Sequence, residues 1–402
     1  MNESLLSELS REVSYCINCG FCEAVCPTIP AFNYRASYGA RGRINLASEF
    51  LKGNTNLEFR DSFESCLDCY ACLQVCPAHV NAGKVSELMK QAIAEDEIKN
   101  QKHMIAEMIA KVTLKYMDPL GLTDKCAEWS KGLVFDDDHE TLLYTGHMYQ
   151  LMAYNKRLGE MLESLGGLST IMASVVRGMP AFVKLSSLMY DRKIREKTEN
   201  YLNNIVRLLK TAGVKFSYLG KDEPYPGTLL LDMGYTDEFR DYAQKVTDIF
   251  HSKGIKTIIT VDPHTYDLLI NRYPAYVKGF DFNITHYLDY IGSLNFRSTS
   301  TRITYHEPCH FVRHANYEEP FKILTSTSKL IMPVHSGKNT YCCGGPVEAF
   351  YPEAADKISQ KRFRELKETD AEEIVTACPI CYVNLAKDDS VKDISEYLIE
   401  RL

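Results

Sequence analysis

Cys66-Leu67-Asp68-Cys69-Tyr70-Ala71-Cys72-Leu73-Gln74-Val75-Cys76-Pro77 repeats the spacing of Cys16-Ile17-Asn18-Cys19-Gly20-Phe21-Cys22-Glu23-Ala24-Val25-Cys26-Pro27. Three thiolates two residues apart wrap a tight loop around three corners of a cube. The turn at the proline sends the fourth to a neighbouring cluster. The spacing therefore assigns Cys16, Cys19, Cys22 and Cys76 to one 4Fe-4S cluster, and Cys66, Cys69, Cys72 and Cys26 to a second. Structural zinc needs only four ligands, usually as paired Cys-x2-Cys units, and two identical four-cysteine runs fit it poorly. Two clusters with crossed ligands lie close together and leave no position open for a substrate, which suits electron transfer.

The rest of the composition narrows the setting. The chain has 402 residues, enough for two or three domains, and 14 cysteines, 13 of them in three tight groups. Disulfide scaffolds are short and secreted. This chain is long, and Met1-Asn2-Glu3-Ser4 does not open an apolar signal core, so the cysteines read as metal thiolates in a reducing, cytoplasmic compartment. A formal net charge of -7 gives no basic field for nucleic acid. An uninterrupted run of about 18 apolar residues, the length of a membrane span, does not occur.

Hydrophobic patterning sets out an α+β multidomain chain. Residues 1–90 form the cluster domain. Residues 91–222 read as a helical connecting region, with helical stretches at Met89–Met117 and 140–166. Residues 223–298 read as a β–α–β unit: strands at Leu229-Leu230-Leu231 and at 257–261, with a helix from Phe239 to His251 between them. Residues 299–402 repeat that style, with strands at 303–305 and 373–376 and an amphipathic helix over 354–367. The second strand runs directly into Cys378, where the first unit has Asp262-Pro263-His264-Thr265 and no cysteine.

The last third carries five cysteines: Cys309, Cys342-Cys343-Gly344-Gly345 and Cys378-Pro379-Ile380-Cys381. This pattern resembles the CCG domain of heterodisulfide reductases and of the iron–sulfur subunits of glycolate and lactate oxidases and anaerobic glycerol-3-phosphate dehydrogenase. The resemblance implies that Cys309, Cys342, Cys343, Cys378 and Cys381 hold a non-cubane 4Fe-4S cluster, and in the reductases it makes them the catalytic set. From below, adjacent cysteines strain a small tetrahedral site but serve a larger cluster with a bridging thiolate. The glycine pair lets the backbone approach the sulfurs closely. Structural zinc on four of the five, or a vicinal Cys342–Cys343 disulfide, are the competing readings. The first eighty residues, with Arg41-Gly42-Arg43 in the segment between the motifs, resemble the α-helical ferredoxin module of respiratory dehydrogenases.

Other residues carry two readings each. Arg41 and Arg43 either sit in a solvated turn or place charge beside a cluster. His306 and His310 either cap the turn around Cys309 or donate to a cluster sulfur or a thiolate product; Arg313 and His314 are weaker candidates. Cys126 reads as an unreactive packed thiol. An apolar face from Leu168 to Leu185 suits either interior packing or a membrane subunit.

Most relatives of this length have two CCG motifs, and this chain has one. Asp232-Met233-Gly234-Tyr235 stands where a Gly-Cys turn is expected, so the first half-unit reads as a degenerate, cysteine-free copy. The resemblance implies an iron–sulfur subunit, peripheral at the inner face of the cell membrane. Its partners would be an FAD-containing dehydrogenase of the 2-hydroxy acid or glycerol 3-phosphate type, or a b-type cytochrome or other membrane subunit, with a quinone as acceptor. The chain has no Gly-x-Gly-x-x-Gly after a strand, so flavin or NAD belongs to another chain. The alternative is a heterodisulfide reductase-like subunit that cleaves a thiol/disulfide carrier.

Overall fold

A computed structural model describes residues 3–54, 59–95, 101–136, 140–154 and 179–402. The N-terminal module packs helices α1 (Glu3–Ser14), α2 (Ala40–Leu51) and α3 (Ala82–Ala94) around the two cysteine loops. Their inward faces follow helical spacing: Leu5 and Leu9 on α1, Ile44 and Ala47 on α2, Val85, Leu88 and Met89 on α3. Asn81 starts α3 by accepting hydrogen bonds from the N–H groups of Gly83 (3.0 Å) and Lys84 (3.2 Å).

Beyond this module, helix α4 (Gln101–Tyr116) leads into two parallel sheets. The first sheet has the order β1 (Thr141–Tyr144), β2 (Thr257–Thr260), β3 (Asn283–His286), with Leu142 opposite Ile258 and Ile258 opposite Ile284. The second sheet adds β4 (Arg302–His306), β5 (Lys329–Leu330), β6 (Glu373–Thr376) and β7 (Val391–Asp393), in the order β5-β4-β6-β7. Crossover segments cover the faces, as all-parallel sheets require.

Helix α5 (Arg192–Thr211) joins the two half-units, and its Tyr201 ring meets that of Tyr382 at 5.2 Å. Tyr149 donates to Asp393 across the same boundary (2.9 Å). One continuous core includes Leu143 and Ile259 of the first sheet together with Ile303 and Val375 of the second.

The two half-units are built alike. In the first, Gly227 (φ +90°) caps α6 (Thr228–Asp232), α7 (Thr236–Ser252) follows, then β2 and α8 (Pro263–Asp267). In the second, Gly344 (φ +89°) caps a short 3-10 turn, α9 (Pro352–Lys367) follows, then β6 and α10 (Pro379–Leu385).

Three expectations change. Thr141–Tyr144 is a strand, so the first sheet takes its edge from the stretch expected to be a helical connector; residues 148–154 after it are helical. A four-residue buried apolar run has no period that separates strand from helix. Leu229-Leu230-Leu231 is helical rather than a strand, because left-handed Gly227 opens a helix there. The turn matching the CCG glycine is Pro226-Gly227, not Asp232-Met233-Gly234-Tyr235. Of the apolar face, Leu168, Ile171, Met172, Val175 and Val176 lie outside the described residues. Phe182, in the helix Met179–Ser186, is buried in the core.

Gly234 joins the module to the first half-unit. Its φ is +86°, and a Cβ there would come within 2.4 Å of the Lys90 backbone on α3. Gly234→Ala is expected to destabilise the protein by about 1–3 kcal/mol, from backbone strain at positive φ and the forced shift of α3. Hydrogen exchange around Lys90 should rise while that of α7 stays unchanged; equal exchange and an unaltered melting curve would sink this reading.

Candidate metal centre

Both N-terminal cysteine loops use the same backbone device. The residues on either side of the middle cysteine are left-handed: Asn18 (φ +56°) and Gly20 (φ +83°) in the first loop, Asp68 (φ +46°) and Tyr70 (φ +54°) in the second. Alternation of this kind curls successive N–H groups around an anion. Tyr70 bears the cost of its conformation through tertiary contacts. Its hydroxyl donates to Glu87 and accepts from Arg272 (3.0 Å).

The two motifs interleave. Burial, followed by the charges of Glu23, Cys16, Cys26 and Cys76, pushes the Cys22 thiol up to about 11. Burial and then Cys69, Cys66 and Cys26 push Cys72 well above its ordinary value. Cys76 therefore stands among the cysteines of the first motif, and Cys26 faces both groups. The two arginines of the intervening segment part company. Arg41 makes a half-exposed ion pair with Glu23 (3.0 Å). Arg43 is buried and donates to Cys26 Sγ (3.7 Å), Thr28 (3.1 Å) and Ser65 (3.2 Å), which puts a cation between the loops.

Cys309, Cys342, Cys343, Cys378 and Cys381 are all buried and all in one place. Cys309 follows β4, the Cys342-Cys343 pair precedes left-handed Gly344, and Cys378 caps α10 directly after β6. Parallel strands β4 and β6 are neighbours, so their C-terminal ends bring the outer cysteines together. Cys342 makes sulfur contacts with Cys309 and Cys343, Cys343 with Cys381, and Cys381 with Cys378.

Cys342 also touches Cys69 of the N-terminal module. Hydrogen bonding from Cys342 holds Cys309 and Cys343 well below the usual thiol range and brings Cys69 to about 7. His310 and Arg313 add positive charge beside Cys309. Arg313 clamps the junction: Nε donates to the Cys69 carbonyl, and Nη1 to those of Thr340 (2.8 Å) and Lys338 (3.2 Å).

The two histidines differ in role. Arg362 Nε donates to His306 Nδ1 (3.0 Å), so the other ring nitrogen carries the proton, and the His306 side chain bonds Cys343. Burial, against the pull of Cys343, holds His306 below its ordinary value and neutral. His310 turns away from the cysteines to Asp267 (2.7 Å) in the other half-unit. Arg362, Asp267 and the Cys69 contact have no spacing signal near the cysteine motifs. Only the fold brings them in.

Buried thiols that are soft donors, with neighbouring cations and a glycine whose Cβ would strike the Ala355 carbonyl at 2.6 Å, suit iron–sulfur groups. Residues 12–80 match the 4Fe-4S dicluster domain model and residues 303–386 the cysteine-rich CCG model, which together span all thirteen clustered cysteines. The chain thus carries two segments that match iron–sulfur domain families, one at each cysteine-rich end.

Relatives of this CCG-domain protein include a probable membrane-anchored ferredoxin of Chromohalobacter salexigens, 24% identical over 96% of the chain and 59% of the relative. The EtfAB:quinone oxidoreductase of Syntrophomonas wolfei is 31% identical over 47% of the chain and 28% of its own length. A dihydromethanophenazine:CoB–CoM heterodisulfide reductase subunit of Methanosarcina barkeri is 22% identical over 97% of the chain and 94% of its own length. The chain thus spans well under two thirds of the first two relatives and nearly all of the third. One of these relatives is named as a ferredoxin, one as a quinone oxidoreductase and one as a reductase subunit.

In the first half-unit the equivalent space is closed. Asp262 occupies the helix-capping place of Cys378 and Thr265 that of Cys381, while His147 follows β1 as Cys309 follows β4. A Cβ on Gly146 would meet Thr265 Oγ1 at 2.7 Å and Pro226 at 3.3 Å, so the chain segments already touch. Behind them His147 Nδ1 bonds Asp118 (2.8 Å), and Glu223 accepts from Thr145 Oγ1 (2.8 Å) and the Gly146 N–H (3.2 Å). Cys126 packs there, buried, with its sulfur 3.7 Å from Asp118.

Arg313→Met keeps the bulk of the side chain and removes its hydrogen bonds to the module. The expected cost is about 2–4 kcal/mol, because charged donors to buried carbonyls are among the stronger hydrogen bonds. Limited proteolysis should then cut the 66–72 loop faster than wild type; an unchanged denaturation midpoint would show the clamp to be idle.

Proposed function

We propose that this chain is the three-cluster electron-transfer subunit of a larger oxidoreductase. Its ligands would be Cys16, Cys19, Cys22 and Cys76; Cys66, Cys69, Cys72 and Cys26; and, for a non-cubane 4Fe-4S cluster, Cys309, Cys342, Cys343, Cys378 and Cys381. When bound, the clusters supply one-electron storage at three neighbouring places. The observation that carries the reading is the contact of Cys69 with Cys342, which joins the second ferredoxin loop to the CCG cysteines inside one buried apolar cluster. Arg43, Lys90 and Arg313 hold positive charge beside those loops.

The partner is a flavoprotein dehydrogenase of the 2-hydroxy acid or glycerol 3-phosphate type on one side, and a quinone-linked carrier, such as a b-type cytochrome or other membrane subunit, on the other. Among the described residues no helix is long and apolar enough to cross a membrane, so attachment at the inner membrane face would fall to a partner. A second reading, disulfide reduction at the CCG cysteines, is favoured by the near full-length match to a heterodisulfide reductase subunit.

Iron and acid-labile sulfide analysis of anaerobic protein should find about twelve of each per chain, from three four-iron groups. Eight irons and one zinc would remove the CCG cluster. The dithionite-reduced protein is then mixed with low-molecular-weight disulfides or with a flavoprotein dehydrogenase. Reoxidation by the flavoprotein alone supports the electron-transfer reading, whereas rapid reoxidation by a disulfide replaces it with the second.

A further inference from the structure

His310 and His314 are four residues apart in a π-helical turn, His310–Ala315, directly after Cys309. Single π turns inside helices are frequent at functional sites. The turn stacks the two rings at 4.5 Å and aims both Nδ1 atoms at one oxygen, Asp267 Oδ2, at 2.7 and 3.2 Å. Asp267 belongs to the other half-unit, at the end of α8. Its second oxygen accepts from Asn271 Nδ2 (2.6 Å), which fixes the carboxylate plane.

We propose that Asp267, His310 and His314 bind one divalent first-row transition-metal ion, of the zinc or ferrous class, distinct from the groups held by the thirteen clustered cysteines. Four observations carry this. The three ligand atoms all lie within 4.8 Å of one another. Donors about 2.1 Å from an octahedral ion stand about 3.0 Å apart, and the two Asp267 distances bracket that value. Two imidazoles and a carboxylate form the donor set that leaves other coordination positions open.

The second observation is His314 itself. Its side chain is 95% buried, which holds Nδ1 against the Asp267 carboxylate away from bulk solvent. Third, the group lines the cavity of about 140 Å³ shared with Cys66, Lys90 and Asp232, so open positions face a space that admits water or a small oxygen or sulfur donor. Fourth, Asp232, Cys309 and Asp267 all place negative charge beside His310, while Arg272 and Lys90 face the carboxylates from across the cavity. An ion there would tie the two half-units together and present a Lewis acid beside Cys309. The site does not depend on what the cysteines hold, so it is tested separately from the electron-transfer reading.

The probe is Zn²⁺. Anaerobic holoprotein is washed with EDTA under conditions that leave its visible absorption intact, titrated with Zn²⁺ by calorimetry, and examined at the zinc K-edge. The expected result is one equivalent of zinc with only nitrogen and oxygen neighbours at about 2.0–2.1 Å. His314→Gln and Asp267→Asn should each weaken binding 10- to 100-fold while the visible absorption stays unchanged. No uptake, sulfur in the zinc shell, or wild-type affinity in both variants would overturn the proposal and leave a hydrogen-bonded His–Asp–His triad. Should either variant lose its clusters, the wild-type zinc shell decides alone: nitrogen and oxygen support the site, sulfur refutes it.

Discussion

The contact between Cys69 and Cys342 marks where the N-terminal module docks on the CCG half-unit. Cys69, Cys309 and Cys342 share a small apolar cluster with Leu67, Val347 and Ala355. Burying thiolates in such a place is costly unless positive charge and hydrogen-bond donors come with them. The chain supplies both at each point. Arg43 reaches Cys26, Lys90 pairs with Asp68 and reaches the Cys66 carbonyl, and Arg313 spans Cys69 and Thr340. Each cation is anchored on a helix or turn that belongs to the fold rather than to the cysteine loop it serves. The loops are therefore positioned by the packing of the module on the two half-units.

The likeness of the two half-units shows that this shape forms both with and without cysteines. Both half-units have a left-handed glycine at the equivalent turn and a helix cap at the end of β2 or β6, and the order β1-β2-β3 parallels β4-β6-β7, to which β5 adds an edge strand. What differs is the filling. In the CCG half the space between β4, Gly344 and α10 is lined by sulfur. In the other half, Gly146, Pro226 and Thr265 close on each other, and His147, Asp118 and Glu223 satisfy one another behind them. Burial opposes charge on His147, yet its bond to Asp118 holds the imidazole above its ordinary value. A polar network of His147, Asp118 and Glu223 thus lies behind the turn that matches the cysteine site.

Much of this was legible in the sequence, because cysteine spacing is a local signal. The two ferredoxin motifs, the CCG pattern and the strands running into Cys309 and Cys378 need only short windows. Helices α7 and α9, and the strands β2 and β6 that follow them, were legible from helical periodicity and short β-branched runs. The misses share a cause. Thr141–Tyr144 and Leu229–Leu231 are short apolar runs, and which becomes strand or helix is settled by a neighbouring strand or a left-handed glycine. Arg362, Asp267 and Cys69 enter the CCG site from 56, 43 and 273 residues away from the groups they touch. A five-cysteine pattern does not point to them.

Arg313 and Arg362 converge on one residue, and this ties the chemistry of the centre to its mechanics. Arg313 donates to the Thr340 carbonyl, and Arg362 Nη2 to the Thr340 hydroxyl (3.2 Å). Arg313 also holds the Cys69 carbonyl, so it governs how closely the module approaches. Arg362 also sets the His306 tautomer, and through it the hydrogen bond to Cys343. Thr340 thus joins Arg313 and Arg362 in one chain of hydrogen bonds. Glu365 extends that chain, since its carboxylate accepts from Arg362 Nη1 (2.6 Å) and from the His335 N–H (2.9 Å). One hydrogen-bond chain therefore runs from the Cys69 carbonyl at the junction to the imidazole beside Cys343, and satisfying each of its members is what lets the module and the CCG centre pack against each other.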